Sequence, residues 1–272
     1  MMRMKQFAPF VIAAAATISA SQAHTICTAV ADGATGKILL QQGDCATRVT
    51  PASTFKVALS LMGYDTGFLK DEHAPLLPFH EGYPDWIASW RAPTDPASWI
   101  RNSVVWYSQQ ITQSLGEDRF QKYVSAFQYG NEDVSGDAGK NNGLTRAWLS
   151  SSLKISPLEQ LAFLGRLVNH KLPVTANAFD MTGRITRLSD LVDGWEVHGK
   201  TGTGSPVLGD GTHDEDHDYG WFVGWTSKGG RTIVFARLIQ EEARAPQGAG
   251  PDARAAFLSE LPAILTSLPP EN

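Results

Sequence analysis

The chain has 272 residues, 42% of them hydrophobic, and a formal net charge of −5. That is enough for one large domain or two interleaved ones with a real core. The basic residues are scattered, which argues against nucleic acid or an anionic membrane surface as the partner.

The first element reads as a secretory signal peptide. Arg3 and Lys5 precede an apolar stretch from Phe7 to Ala20, and Ser21-Gln-Ala23 supplies small residues for cleavage after Ala23. The stretch is too short and alanine-rich for a convincing bilayer span, although an uncleaved anchor is the alternative. The mature chain then starts at His24 and is periplasmic or secreted. No later segment is apolar enough to span a membrane, so no membrane association is expected after cleavage.

Cys27 and Cys45 flank a strand–turn–strand pattern: Thr28 to Ala31, Asp32-Gly-Ala-Thr-Gly36, Lys37 to Gln41. The cysteines are symmetric about Gly36, so a hairpin brings them opposite each other. In an oxidising compartment this predicts a disulfide; two free buried thiols are the alternative.

Pro51 and the apolar residues Phe55, Val57, Ala58, Leu59, Leu61 and Met62 predict a buried helix starting near Ser53. Residues 71–100 read as an aromatic loop region. Helices are expected over 104–115 and 117–127, broken at Gly116, followed by a loop to Gly143. Ser156-Pro-Leu-Glu159 is a capping box opening a helix with Leu158, Leu161, Leu164 and Val168 on one face. Residues 176–186 form another helix. The period then changes to strands at Trp195–Thr201, Gly220–Ser227 and Arg231–Gln240, and a last helix, about 252–267, is interrupted at Pro262.

Strands at both ends around a helical block predict an α+β fold. Its centre is one antiparallel sheet flanked by terminal helices, with an inserted helical subdomain. After the leader (1–23), residues 24–272 form a single catalytic domain. Its sheet part is about 24–52 and 193–272, and its helical part about 53–192. Ser53 falls at the seam between the two, a common place for a cleft.

The chemistry rests on Ser53-Thr-Phe-Lys56 and on Lys200-Thr-Gly202 about 150 residues later. Ser-x-x-Lys puts a hydroxyl and an amine one helical turn apart on the same face. Serine needs a neighbouring base to act as a nucleophile. Lysine serves as that base only when burial or a nearby cation keeps it neutral, or when it is chemically modified. Ser-x-x-Lys alone is weak, and Ser151-Ser-Leu-Lys154 is a second copy, but that copy has no apolar run of its own.

Taken together, the motifs resemble the class D (oxacillinase-type) serine β-lactamases. They are Ser53-Thr-Phe-Lys56, Ser103-Val-Val105, Tyr129-Gly-Asn131, Trp148-Leu149 ahead of Ile155-Ser156, Lys200-Thr-Gly202 and Gly220-Trp-Phe-Val-Gly-Trp225, in the family's order over nearly all of the mature chain. The class A pattern has Ser-Asp-Asn where this chain has Ser103-Val-Val105, and no Glu-x-x-Leu-Asn is present.

The resemblance implies hydrolysis of a small-molecule β-lactam through an acyl-enzyme on Ser53. The backbone N–H groups of Ser53 and Thr203 hold the oxyanion. Lys56 reacts with CO2 to give N6-carboxylysine, an anionic base, and Trp148 donates to it. Ser103 and Lys200 pass a proton to the leaving nitrogen. Thr201, with Gly202 beside it, and Arg254 receive the substrate carboxylate; Val105 and Leu149 wall the base from water, and Tyr129 counts among the substrate-binding residues. No metal or organic cofactor is implied beyond CO2 or bicarbonate.

Some of these residues have plainer readings. Ser103 also reads as a helix N-cap, Tyr129-Gly-Asn131 as a turn, Trp148 as core and Arg254 as a surface salt-bridge residue. The acidic segment Gly204–Tyr219, with His213-Asp-Glu-Asp-His-Asp218, lacks the zincin pattern and reads as a solvated loop shaping the substrate entrance. A D-alanyl-D-alanine transpeptidase or carboxypeptidase and a β-lactam sensor domain share the two main motifs and are the competing functions. Homodimerisation is left open.

Overall fold

The computed structural model describes residues 23–188 and 192–269. The expected leader lies outside the described residues except for Ala23, the first residue of strand β1 (Ala23–Asp32). The turn to β2 (Ile38–Gly43) is held by Asp32, whose Oδ1 accepts from Thr35 N (2.8 Å) and Thr35 Oγ1 (2.7 Å). That short acceptor two positions from the tip is how Asp nucleates a turn.

The hairpin register differs from the symmetric one. Cys27 lies opposite Gly43, not Cys45, because the tip, where Ala31 pairs with Ile38, is centred before Gly36, and the bulge between Val30 and Ala31 recovers only one residue of the offset. Cys45 folds back beyond the strand end and still forms the expected disulfide with Cys27, with Cα atoms 5.1 Å apart.

A 3₁₀ turn (Ala52–Phe55) runs directly into α1 (Lys56–Asp65). The aromatic region expected as loop contains α2 (Pro96–Asn102), whose start has a clear signal. Asp95 accepts from Ser98 N (2.7 Å), and Pro96 occupies the first turn. α3 (Val105–Leu115) and α4 (Glu117–Ala126) break at Gly116, which has φ +73°. The short α5 (Gly143–Arg146) interrupts the following loop. The capping box opens α6 (Pro157–Val168) as expected, with Glu159 accepting from Ser156 N at 2.9 Å. α7 (Ala176–Thr186) follows.

The late strands are β3 (Glu196–Gly204), β4 (Tyr219–Lys228) and β5 (Arg231–Glu241). All pairs are antiparallel, in the order β2-β1-β5-β4-β3, so the expected α+β architecture stands and β3 forms one edge. Alternation along the strands sorts two cores. Trp221, Val223, Trp225, Ala236 and Leu238 face the helical block, including α6, while Phe222, Ile233 and Phe235 face α8 (Ala249–Ser267). α8 starts earlier than expected and is not interrupted: it runs through Pro262. A helix-interior proline costs about 3 kcal/mol, but Phe257 and Leu261 are buried beside it against the sheet, and that packing holds both halves.

Candidate active site

Ser53 sits in the 3₁₀ turn, half-buried between the buried side chains of Ala52, Thr54 and Phe55. Ala52 has φ +48°, a left-handed conformation that costs a non-glycine residue about 1 kcal/mol or more and that clusters at active sites. The next turn carries Lys56, which is fully buried, with Nζ donating to Ser53 Oγ at 3.0 Å. Burial holds the Lys56 amine well below its usual range, and the charge of Lys200 adds to the effect.

Phe55, the residue before Lys56, sits in an aromatic cluster. Phe55 packs against Trp148, Tyr129 and Phe120, with ring centroids 5.7, 5.1 and 5.9 Å apart. Trp148 is fully buried, yet its indole Nε1 has no hydrogen-bond partner. A buried orphan donor is costly, and native proteins seldom leave one without a use.

β3 brings the second motif to the nucleophile. A Cβ placed on Gly202 would lie 2.9 Å from Pro51 O, 3.1 Å from Thr54 N and 3.2 Å from Ser53 N. Only glycine lets the strand pack this closely on the turn. Lys200 is buried, and its Nζ donates to Thr201 O (2.9 Å) and Thr201 Oγ1 (3.3 Å). Burial, then the charge of Arg254, lowers its pKa to about 7. Thr203 Oγ1 accepts from Gly250 N at 2.9 Å, which docks the start of α8 on this strand. Arg254, one helical turn after Gly250, is exposed and lines the same cavity as Lys200 and Thr201.

Ser103 does not cap the start of α3. It closes α2 in the left-handed conformation (φ +58°), and Val104 occupies the position before α3. Val105 is buried and Leu149 half-buried against the same core. Tyr129 is not at the surface of the cleft: it is fully buried behind Phe55, and its hydroxyl accepts from Gln160 Nε2 at 3.3 Å. With no exposed surface, its side chain does not line the cleft in this structure. Gly130 has φ +59° and no room for a Cβ against Lys154 O, and Asn131 Nδ2 donates to Ser152 O at 2.8 Å.

Gln160 is a residue that sequence reasoning passed over. It donates to Thr54 Oγ1 (3.1 Å) as well as to Tyr129, beneath the nucleophile turn. Its signal was a polar side chain at helical spacing from the buried Phe163, Leu164 and Leu167. In the acidic segment, His217 Nδ1 lies 2.8 Å from Asp214 Oδ2, and His213 pairs with Val207 in an isolated bridge. Among the described residues no group of three or more His, Cys, Asp or Glu side chains could hold a metal ion. This segment and the loop before α6 border a cavity of about 950 Å³ that includes Ser150 and Val207.

Residues 26–262 match the penicillin-binding-protein transpeptidase domain family. The β-lactamase OXA-9 of Klebsiella pneumoniae is 46% identical over 254 residues, covering 92% of each chain. β-Lactamase OXA-1 of Escherichia coli is 39% identical over 250 residues, covering 86% of this chain and 87% of its own. The crystal structure of the class D β-lactamase OXA-427 superposes with a TM-score of 0.85 at 51% identity, covering 89% of this chain and 99% of that one. A serine turn backed by a buried lysine and closed by Lys-Thr-Gly, together with relatives this similar over nearly the whole chain, places the protein in the class D serine β-lactamases, hydrolases of the β-lactam ring.

Proposed function

We propose that the protein is an exported enzyme that opens penicillin- or cephalosporin-type antibiotics through an acyl-enzyme on Ser53, with carbamylated Lys56 as the general base, and so confers resistance to them. The observation that carries the reading is a fully buried lysine amine 3.0 Å from Ser53 Oγ, next in sequence to Phe55, whose ring packs against the buried Trp148 with its partnerless indole N–H. A neutral amine can attack CO2: the N–C bond forms, the electron pair moves to oxygen, and the nitrogen loses a proton to solvent. The resulting anion suits the indole donor of Trp148.

In this reading Lys56, as its carbamate, takes the Ser53 hydroxyl proton while Oγ bonds to the lactam carbonyl carbon. The backbone N–H groups of Ser53 and Thr203 hold the oxyanion. The lactam C–N bond then breaks, and its nitrogen receives the proton that Lys56 took, passed on by way of Ser103 and Lys200, which returns Lys56 to its anionic form. Thr201 and Arg254 hold the substrate carboxylate. Lys56 next takes a proton from water, whose oxygen bonds to the ester carbon; the bond from that carbon to Ser53 Oγ breaks, and Lys56 returns the proton to Oγ. Val105 and Leu149 limit the entry of that water. Cleavage after Ala23 would deliver the chain to the periplasm or medium, and the buried Cys27–Cys45 disulfide supports an oxidising destination.

The test is turnover of a chromogenic β-lactam with and without added bicarbonate. Steady hydrolysis, stimulated by bicarbonate, is expected. A single stoichiometric burst with no further turnover would reject hydrolysis in favour of a transpeptidase or a sensor.

A further inference from the structure

Beside the reactive cleft lies a cavity of about 680 Å³ with an unusual charge balance. Five cationic side chains from separate parts of the chain line it: Arg101 of α2, Arg184 of α7, Arg187 just after α7, Lys200 of β3 and Arg254 of α8. Among the described residues Glu72 is the one carboxylate in the lining, and it is engaged by Arg184 at 3.5 Å. Arg187 pairs with Glu196 at 2.6 Å. Among the described residues, Arg101 and Arg254 have no carboxylate within ion-pair distance. Like charges gathered around one concave space repel one another and focus a positive potential in it. A cavity of this size holds far more than one carboxylate.

We propose that this cavity is a second anion subsite, continuous with the cleft, that takes a negatively charged substituent of the β-lactam's fused ring. The assignment rests on the proposed carboxylate seat at Thr201 and Arg254. In a cephalosporin the carboxylate-bearing carbon is bonded to the lactam nitrogen, and the neighbouring ring carbon carries the variable substituent. Thr201 and Arg254 line the same cavity as Arg101, Arg184 and Arg187, so a substituent on the carbon next to the carboxylate shares that space with these arginines. An anionic substituent there neutralises the uncompensated charge. A cationic one meets the repulsion of Arg101 and Arg254 and is selected against.

The test compares two cephalosporins with the same acyl side chain. One carries a sulfonate-bearing substituent on that ring carbon and the other a pyridinium. A penicillin, whose corresponding carbon bears only methyl groups, is the reference. At low ionic strength the parent should show a KM at least about threefold lower for the sulfonate than for the pyridinium compound, and added salt should narrow the gap. Arg101→Gln should raise KM for the sulfonate about threefold, lower it for the pyridinium, and leave the penicillin unchanged.

No charge preference in the parent, or an Arg101→Gln effect equal for all three substrates, overturns the subsite. Arg254→Gln reports separately on the carboxylate seat, because it should weaken the penicillin, which Arg101→Gln leaves unchanged. If it changes none of them, that seat fails while the Arg101 comparison still decides the subsite.

Discussion

The Cα of Gly202 faces the backbone nitrogen of Ser53 so closely that an added Cβ would lie 3.2 Å away, and only 2.9 Å from Pro51 O. Two motifs about 150 residues apart therefore meet backbone to backbone, with no side chain between them. Gly202→Ala must push β3 off the nucleophile turn by a few tenths of an ångström. That displaces the Thr203 N–H from the Ser53 N–H, the pair assigned to the oxyanion. We expect kcat/KM to fall about ten- to hundredfold with the fold retained, measured by steady-state kinetics alongside circular dichroism. Unchanged kinetics would show that the contact does not set the oxyanion geometry.

Lys56→Ala should abolish turnover. Trp148→Phe keeps most of the aromatic packing around Phe55 but removes the orphan N–H. It should slow deacylation more than acylation and raise the bicarbonate concentration needed for half-maximal activity. Burst amplitude and bicarbonate titration read the two effects separately. Kinetics equal to the parent at every bicarbonate level would remove Trp148 from the carbamate site. Activity should also fall on acidification, since a protonated Lys56 cannot capture CO2, and added bicarbonate should restore part of it.

Lys200 links stability to pH. Its folded pKa, lowered to about 7, lies below the unfolded lysine value of 10.5. The unfolded chain therefore binds more protons between these values, and this residue's contribution to stability rises with pH across that window. The burden is fully present below pH about 7. Lys200→Met should raise Tm at pH 6 and lose that advantage as pH climbs towards 10, although catalysis suffers. The sign should show in Tm measured across this range for parent and variant. A gain that grows with pH would contradict the buried, depressed amine.

Tyr129→Phe separates packing from chemistry. The ring contacts with Phe55 and Phe163 remain, and one hydrogen bond from Gln160 is lost. A loss of about 1 kcal/mol, or about 2–4 °C in Tm, is expected, with kcat within about threefold of the parent. A large kcat loss at unchanged Tm would give Tyr129 a part in the reaction.

Replacing Cys27 and Cys45 by alanine should cost about 3 kcal/mol for a loop of this length, about 6–12 °C in Tm. The hairpin lies on the far side of the sheet order from β3, so kcat/KM should hold. Thermal melts of oxidised parent and double variant make the comparison.

Local signals made much of this readable before folding. The Asp32 turn, the Ser156–Glu159 capping box, the break at Gly116 and the strand periodicity after Gly194 each depend on neighbours a few residues away, and each appears where expected. The Asp95-Pro96 start of α2 was equally local but hidden in a tryptophan-rich stretch. Pro262 misled because its local penalty is outweighed by burial of Phe257 and Leu261 against strands distant in sequence.

The sequence by itself determined the reactive pair, the disulfide partners, the order of strands and helices along the chain, and the family. Spacing along one helix or strand places those groups whatever else the chain does. Only tertiary structure decided that Lys56 is fully buried, that Trp148 has an unused donor, that Tyr129 stands behind the cleft, and that arginines from separate elements share one cavity. Burial and electrostatic environment are sums over residues brought together by packing, and no stretch of chain carries that sum within itself.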